Sequence, residues 1–221
     1  MLRSKTPGGA EPVKTAHRRA LERRDRLVHA GRELMRDTSS TDFALQDVAE
    51  RARTSLRAFY EHFTNKDELL LAVFSEAIRA SAQPLSEALA RSDDPVAQLG
   101  AYVDLLFSAT FDDVHPETPA MISLHLHLAR TNPEALAAIL APQIEILVAI
   151  LARGVASGAF RDDLGIGPLA MLVSQVIIST LHTNALSPHL VGVRVGPEEL
   201  RRFCVAGVIA HRTKESHHDL S

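Results

Sequence analysis

The chain has 221 residues, of which 46% are hydrophobic and 23% charged. This balance excludes a largely disordered protein, because it supplies enough apolar surface for a sizeable core. A single cysteine, Cys204, excludes an intrachain disulfide and a zinc site of several cysteines, and its apolar neighbours predict a buried thiol.

The formal net charge of −3 is unevenly distributed along the chain. Residues 1–66 carry 14 Lys/Arg and 9 Asp/Glu, whereas the remaining residues carry 10 and 18. An excess of positive charge at one end of a protein favours contact with nucleic-acid phosphates there, although a solvated basic helix face is the simpler alternative.

Sequence patterns that mark export or membrane insertion are missing. The N-terminal residues are polar and basic and lack an apolar segment of signal-peptide type. The longest apolar stretch, 164–181, is interrupted by glycine, proline and polar residues. We therefore interpret it as a buried helix of a cytoplasmic protein and not as a membrane span.

The first 20 residues are predicted to form a disordered basic arm. Pro7, Gly8, Gly9 and Pro12 oppose regular structure, and lysines and arginines surround them. We expect this arm either to enter a DNA minor groove, as arginine-bearing arms do elsewhere, or to remain an untethered tail. In 21–37 apolar residues recur at helical spacing and predict the first helix. They are Leu27, Ala30, Leu34 and Met35.

Residues 43–73 have the pattern of a helix-turn-helix. In 45–52 the apolar residues recur at helical spacing, and three polar residues then interrupt the pattern. Ser55 can cap a second short helix, in which Phe59 and Phe63 are predicted to face the core. A DNA-reading motif has this layout, with the first helix bracing the second.

The same segment resembles the DNA-binding region of TetR-type transcriptional regulators. The resemblance implies an all-α fold, with an N-terminal three-helix helix-turn-helix DNA-binding domain over 21–66. It also implies a helical ligand-binding and dimerisation domain over 67–213, and we expect 214–221 to be a disordered tail. The residues that carry the resemblance are Val48, Ala49, Ala52, Ser55, Tyr60, His62, Phe63, Lys66, Glu68, Leu69 and Leu70.

Two positions depart from the pattern of TetR-type regulators. Arg53 stands where the turn usually has glycine, and a non-glycine residue at positive φ costs about 1 kcal/mol. Ala44 stands where a threonine usually caps the first helix of the motif, so we expect Asp42 or Thr41 to supply the cap. The motif survives both departures, although the shape of the turn at Arg53 is left open.

The exposed residues of the motif can be given roles from their chemistry. Arg57 could donate two hydrogen bonds to guanine, and a small apolar neighbour could contact a thymine methyl group. In similar family motifs the counterparts of Tyr60, His62 and Lys66 contact phosphate. The alternative for Tyr60 and His62 is that their polar tips satisfy neighbouring backbone. The predicted DNA-binding residues are Arg53, Ser55, Leu56, Arg57, Ala58, Tyr60, His62 and Lys66.

Beyond the motif, capping residues and prolines predict a succession of helices. Asn65 can cap a linker helix with Glu68 three residues later, and Pro84 is expected to kink or end that helix. Four further prolines stand where first helical turns are expected. The only strand-like fragment is 190–195. The predicted helices are 95–111, 119–131, 133–157, 163–186 and 197–212.

The last two predicted helices are apolar on more than one face and must be covered on both sides. A second copy could cover one side, giving the intermolecular four-helix bundle that the resemblance also implies; burial within a monomer is the alternative. A homodimer would place two recognition helices about 34 Å apart on an approximately palindromic operator. The predicted interface residues are Leu169, Leu172, Val173, Val176, Ile177, Leu181, Leu200, Phe203 and Val208.

The resemblance further implies that a small molecule binds among the C-terminal helices and alters the affinity for DNA. Because the chain has no Trp, two Tyr and eight Phe, we expect a mostly aliphatic pocket and an apolar or amphipathic effector. Plain core packing is the alternative for every candidate. The candidates are Phe107, Phe111, Met121, Leu124, His125, Leu128, Ile146, Gln175, Ile178 and His182.

His125 and His127 cannot bind one metal ion together. Two residues apart on a helix, they point about 200° from each other. We therefore expect one of the two to face inward and the other outward.

Motifs of enzymes and cofactor sites are also missing from the sequence. It has no glycine-rich phosphate loop, no His-Glu-x-x-His and no Gly-x-Ser-x-Gly, so we expect no catalysis, no metal and no cofactor. The sequence favours a ligand-responsive transcriptional regulator that binds double-stranded DNA as a homodimer. The resemblance implies a repressor that leaves its operator when the effector binds. The alternative is a helical protein-interaction adaptor without sequence-specific DNA binding.

Overall fold

Ten α-helices build the part of the chain that the computed structural model describes, which comprises residues 10–111, 118–186 and 194–210. These ranges hold no β-strand, and one isolated β-bridge joins Phe160 to Ile209. The all-α prediction is therefore confirmed. The helices are α1 (Ala10–Thr38), α2 (Leu45–Arg51), α3 (Leu56–Tyr60), α4 (Lys66–Ala80), α5 (Ala82–Leu89), α6 (Pro95–Phe111), α7 (Thr118–Thr131), α8 (Pro133–Ala156), α9 (Ile166–Leu186) and α10 (Pro197–Val208).

The first helix begins earlier than predicted. α1 starts at Ala10, so the prediction of a disordered arm is wrong for residues 10–20, while residues 1–9 lie outside the described part of the chain. Pro12 falls in the first turn, where its missing N–H leaves no helical hydrogen bond unmade. The residues after it are mostly good helix formers. Most of the glycines and prolines that indicated disorder precede Ala10.

The first of two hydrophobic cores lies where α1, α2 and α3 meet α4 and α7. Leu27 and Met35 of α1 are fully buried there. Phe59 and Phe63 are 0% and 2% exposed, which confirms that they face the core. α3 has only five residues, so it depends on these buried contacts for its stability.

Helix α4 connects this core to the rest of the chain. The side chain of Asn65 accepts a hydrogen bond from the Glu68 N–H at 2.9 Å, so the predicted cap is confirmed. α4 ends at Ala80, and Pro84 lies in the first turn of α5. The linker helix therefore ends shortly before the proline. Pro84 lies in the first turn of the next helix, where the backbone N–H groups have no partner within the helix.

The remaining helix starts agree closely with the positions of the prolines. α6, α8 and α10 begin at Pro95, Pro133 and Pro197. α10 ends at Val208, four residues before the predicted end, because Ile209 turns to an extended conformation and forms the bridge to Phe160. Most of the strand-like fragment 190–195 and the tail 214–221 lie outside the described residues.

The second core lies among α5, α6, α8, α9 and α10. Cys204 is buried in it, as predicted, and burial raises the pKa of its thiol to about 11. By length and composition alone α8 and α9 could also span a membrane, and only 22% and 33% of their apolar windows are buried within the chain. Both contribute to this core on one side and leave apolar side chains exposed on the other.

Candidate nucleic-acid interface and ligand cavity

The turn between α2 and α3 adopts the conformation that usually calls for glycine. Arg53 has φ of 52°, in the left-handed region. The N–H of Arg53 donates to the Glu50 carbonyl at 3.0 Å, and the N–H of Thr54 donates to the Ala49 carbonyl at 2.9 Å. The glycine-type turn is therefore kept with arginine in it, at a cost of about 1–2 kcal/mol.

Helix α2 is stabilised at its start by a residue inside the helix. The Ala44 N–H donates to Asp47 Oδ2 at 3.0 Å, which is half of a capping box, since alanine has no side-chain acceptor for the other half. The prediction that Asp42 or Thr41 supplies the cap is wrong. Both residues lie in the segment before Ala44, where Asp42 donates its N–H to Ser40 Oγ at 2.9 Å.

Helix α3 presents a partly basic surface to solvent. Ser55 caps it, with its Oγ accepting from the Ala58 N–H at 3.1 Å. Arg53 and Arg57 are exposed, and Tyr60 is 55% exposed although its ring packs edge-on against Phe59. These side chains could all reach a DNA groove or its phosphates.

The two residues predicted to contact a thymine methyl group are less exposed than Arg53, Arg57 and Tyr60. Leu56 and Ala58 are half-buried, and Leu56 packs against the first core. A thymine methyl group could touch only the part of each side chain that remains at the surface.

His62 is less suited to phosphate than predicted. It is half-buried, and its Nε2 is buried without a hydrogen-bond partner among the described residues. Burial first, and then the charges of Arg23 and Arg24, lower the pKa of His62 from 6.5, against an opposing effect of Glu61. A neutral imidazole whose Nε2 points inward offers little to a phosphate at neutral pH.

Lys66 has a structural contact that the sequence did not indicate. Its Nζ donates to the Phe43 carbonyl at 2.7 Å and lies 4.5 Å from the centroid of the Phe43 ring. The ammonium therefore ties the start of α4 to the segment that precedes α2. Only the N–H groups of the Lys66 ammonium that do not bind the Phe43 carbonyl could bind a phosphate.

Three further contacts that sequence reasoning missed hold the motif onto α1. Arg23 pairs with Glu61 at 3.3 Å, Arg51 pairs with Asp37, and the Arg24 guanidinium lies 5.3 Å from the Phe63 ring centroid. The partners in these three contacts are 38, 14 and 39 residues apart, in that order. No local pattern in the sequence could have indicated such pairs.

A cavity of about 480 Å³ lies between the two cores and is lined by residues of both. Arg32 of α1 and Phe74 of α4 contribute to its wall, together with residues of α5 to α9. An occupant would therefore contact α1 and α4 directly. Among the predicted pocket residues, those that line it are Met121, His125, Ile178 and His182.

The other predicted pocket residues lie elsewhere, and the prediction is corrected for them. Leu124 and Leu128 are fully buried in the first core. Phe107 and Ile146 pack against the second core. Gln175 is exposed, and the side chain of Phe111 lies outside the described residues.

Two histidines face each other in the cavity wall. His125 Nδ1 lies 3.2 Å from His182 Nε2, and the His125 ring stacks on Phe74 with centroids 5.8 Å apart. Burial lowers the pKa of both histidines from 6.5, and the pairing lowers that of His125 further. His127 is exposed and lies 3.0 Å from Asp67, so the prediction of one inward and one outward histidine is confirmed.

The described residues contain no group of three or more side chains that could hold a metal ion. His125 and His182 alone would give an ion only two protein ligands, fewer than structural or catalytic zinc sites use.

Five of the predicted interface residues are not available to a second copy. They lie in the second core of the chain itself, at 1% to 5% exposure, so the prediction is corrected for them. Apolar periodicity identified their helices but not which face meets the chain's own core. They are Leu169, Val173, Ile177, Leu200 and Val208.

Other residues of α9 and α10 expose apolar side chains, which we call the exposed apolar surface of these helices. Leu172 and Phe203, both predicted, are 55% and 65% exposed. Met171, which the sequence reasoning missed, is 63% exposed and adjoins Leu172. Val176 and Leu181 are half-buried, and Leu181 also lines the cavity.

Comparisons with known proteins agree with this geometry. The family model described as bacterial regulatory proteins, tetR family, matches residues 27–73, which contain α2, α3 and their contacts with α1. The HTH-type transcriptional regulator BetI of Brucella anthropi is 28% identical over 88 residues, covering 40% of this chain and 45% of BetI. The HTH-type nicotine-responsive transcriptional repressor HdnoR of Paenarthrobacter nicotinovorans is 28% identical over 93 residues, covering 42% and 48%. The chain thus spans about half the length of the curated relatives that it matches.

A solved structure extends the similarity of fold to most of the chain. The transcriptional regulator FadR of Bacillus subtilis, in complex with stearoyl-CoA, superposes with a TM-score of 0.69 at 20% identity. The superposition covers 84% of this chain and 98% of FadR. At this identity the likeness concerns the fold.

Proposed function

We propose that this member of the TetR family of bacterial regulatory proteins is a cytoplasmic, homodimeric transcriptional regulator whose binding to operator DNA responds to a small molecule. We further propose that it is a repressor, released when an apolar or amphipathic effector enters the cavity. HdnoR is described as a nicotine-responsive repressor, which supports this direction by analogy.

The observation that carries the proposal is the surface of α3. Its N-terminal cap and its buried phenylalanines fix the helix, while Arg53, Arg57 and Tyr60 remain exposed beside the turn. Exposed side chains of this kind, on a short helix braced by a preceding one, suit insertion into the major groove. We propose that Arg57 reads a base and that Arg53 and Tyr60 bind phosphate.

The contacts of the cavity support the proposed coupling to DNA. Its wall includes Arg32 of α1, a helix that packs against α2, and Phe74 of α4, a helix that packs against α1 and whose Lys66 contacts Phe43 before α2. A ligand that prefers one position of α4 therefore changes the population of DNA-binding conformations, and by linkage DNA changes the affinity for the ligand.

The exposed apolar surface of α9 and α10 supports the proposed homodimer. Leu172, Met171 and Phe203 would remain in water in a monomer, and exposed apolar patches mark interaction sites. A two-fold axis beside these helices would pair the surface with itself. The dimer would then present two α3 helices to an approximately palindromic operator.

Base preference tests the proposed role of Arg57. Duplexes selected by the wild-type protein from a random pool would define the preferred site, and the Arg57→Ala variant would then be titrated with single-base variants of that site. We expect the preference to relax at one position, by about 1–3 kcal/mol. Arg91→Ala removes an exposed arginine remote from the motif and should leave every affinity unchanged. An equal loss on all duplexes for Arg57→Ala would make Arg57 a phosphate contact, and no selected site at all would favour the adaptor function.

A further inference from the structure

The wall of the cavity is mainly apolar. The residues that line it come from α1 and from α4 to α9, and the apolar ones include Ile78, Leu105, Leu106, Leu140, Ile144 and Ile177. A volume of about 480 Å³ lies within the range of about 300–1,000 Å³ that small-molecule pockets occupy. Such a wall favours an apolar ligand body, so the few polar groups decide which functional group the ligand carries.

The facing histidines supply one of these polar features. Each neutral imidazole has one N–H and one bare nitrogen. Because His125 Nδ1 and His182 Nε2 are 3.2 Å apart, one N–H is used between the rings. The pair then offers one donor and one acceptor to a ligand, and a change of tautomer exchanges their positions. A hydroxyl group, which both donates and accepts, matches this arrangement.

Ser174 supplies a second polar feature. It lines the cavity at 8% exposure, and its Oγ is buried with no hydrogen-bond partner among the described residues. It stands four and eight residues before Ile178 and His182, so all three lie on one face of α9. A buried hydroxyl without a partner is costly, and a ligand that reaches it would remove that cost.

Charge in the wall is sparse and does not favour an ionic ligand. Burial lowers the pKa of both histidines, which keeps them neutral near pH 7. Arg32 is the one permanently charged side chain among the described lining residues, and it is already engaged by another interaction. A carboxylate or an ammonium group in this cavity would lose its hydration without a dedicated partner.

We propose that the cavity binds an uncharged apolar effector that carries a hydroxyl group, a phenol or an alcohol, and that His125 and His182 hold this hydroxyl. The proposal rests on the proposed function, because it names the chemical class of the effector of that regulator. Ser174 provides a second hydrogen bond to ligands long enough to reach it.

Three probes that share a propylphenyl body test the class of ligand. Calorimetric titration of the full chain would compare 4-propylphenol, propylbenzene and 4-propylbenzoate. We expect 4-propylphenol to bind about tenfold more tightly than propylbenzene, as one or two hydrogen bonds in a buried site allow. We expect 4-propylbenzoate to bind more weakly than 4-propylphenol.

A pair of variants assigns the effect to the histidines. In His182→Leu the advantage of 4-propylphenol over propylbenzene should disappear, while propylbenzene still binds. His127→Gln changes a histidine of α7 that lies outside the cavity, so the tenfold advantage should persist. If circular dichroism shows that His182→Leu is unfolded, His182→Gln replaces it, and the wild-type series remains decisive by itself.

Several results would overturn the proposal. They are equal binding of 4-propylphenol and propylbenzene, tightest binding of 4-propylbenzoate, an unchanged phenol advantage in a folded His182 variant, or no binding of any probe. DNA binding measured on the same samples separates this outcome from failure of the proposed function. Selective DNA binding without phenol preference would refute only the ligand class, whereas phenol preference without selective DNA binding would refute only the regulator.

Discussion

At the scale of single residues, the turn of the helix-turn-helix depends on one backbone angle. Arg53 holds φ at 52° with its side chain exposed next to α3. The position therefore combines a strained backbone with a cation at the surface that we propose faces DNA. Glycine would relieve the strain but remove the charge, so stability and DNA affinity should respond in opposite directions.

Substitution of Arg53 separates these two effects. Arg53→Gly should raise the free energy of unfolding by about 1 kcal/mol. Glycine adopts positive φ without steric cost, and its greater conformational entropy in the unfolded chain offsets part of that gain. It should also weaken DNA binding and lower the salt dependence of the affinity. Chemical denaturation and fluorescence anisotropy measure the two quantities.

Arg53→Ala is the matched control for this change. It removes the same charge but keeps a Cβ in the left-handed region, so DNA binding should weaken without a gain in stability. Equal stabilisation by alanine and glycine would show that the backbone angle of residue 53 carries no strain.

At the scale of elements, the end of α8 packs closely against Phe160, which lies in the turn after the helix. A Cβ on Gly154 would overlap the ring of Phe160, which is 2% exposed. The next residue, Arg161, donates its N–H to the Val208 carbonyl at 2.8 Å, which joins this turn to the end of α10. Gly154 therefore allows α8, the turn and α10 to pack together.

Gly154→Ala should destabilise the chain despite the better helix propensity of alanine. The buried Phe160 ring must shift, and overpacking of this kind costs about 1–3 kcal/mol. Gly167→Ala in α9 is the control, since a Cβ there meets nothing within 4 Å, and its effect should stay within about 1 kcal/mol. Thermal unfolding of both variants gives the comparison, and a Gly154→Ala variant as stable as the wild type would contradict this packing.

Helix boundaries could be predicted because the residues that set them act locally. Ser55 and Asn65 cap α3 and α4 through bonds to N–H groups three residues later. The same local reasoning failed for α1, where helix formers after Pro12 outweigh the flanking prolines and glycines. Local reasoning also failed for the cap of α2. The Ala44 N–H donates to Asp47, which lies inside the helix, and no residue before Ala44 supplies the cap.

The composition of the sites could be predicted only in part, because it depends on which helix faces meet. Met121 and His125 line the cavity, whereas Leu124 on the same helix faces the first core. These three residues lie within about 100° of one another around α7, so periodicity does not separate them. The contact of Lys66 with Phe43 joins residues 23 apart and has no signature in the sequence.

At the scale of the whole molecule, the basic motif, the cavity and the exposed apolar surface occupy successive parts of one chain. α1 and α4 belong to the first core and also line the cavity through Arg32 and Phe74. α9 lines the cavity with His182 and exposes Leu172 on another face. The cavity is therefore the part of the structure through which the proposed dimer surface and the proposed DNA-binding motif could influence each other.

The stability of the whole chain should be greatest between about pH 6.5 and pH 9. Burial lowers the folded-state pKa of His62, His125 and His182 below the ordinary 6.5. Below pH 6.5 the unfolded chain therefore binds more protons, and the free energy of unfolding falls. The pKa of Cys204 is raised from 9.0 to about 11, so the unfolded chain releases more protons above pH 9 and stability falls again.

Denaturation at a series of pH values measures this profile. Tyr102, whose pKa burial raises from 10.0 to about 12, adds to the loss at high pH. Replacement of His125 by leucine should flatten the acidic side. Stability that rises from pH 7 to pH 5 would contradict the burial of these histidines in the neutral form.

Binding to DNA is the most direct test of the central claim. The purified protein would be titrated by fluorescence anisotropy with duplexes from the regions that flank its own coding sequence, at several salt concentrations. A shuffled duplex of equal length is the control. We expect one duplex to be bound selectively by a dimer, with an affinity that falls steeply as salt rises. Weak and equal affinity for flanking duplexes and for their shuffled controls would contradict a sequence-specific regulator of its own region.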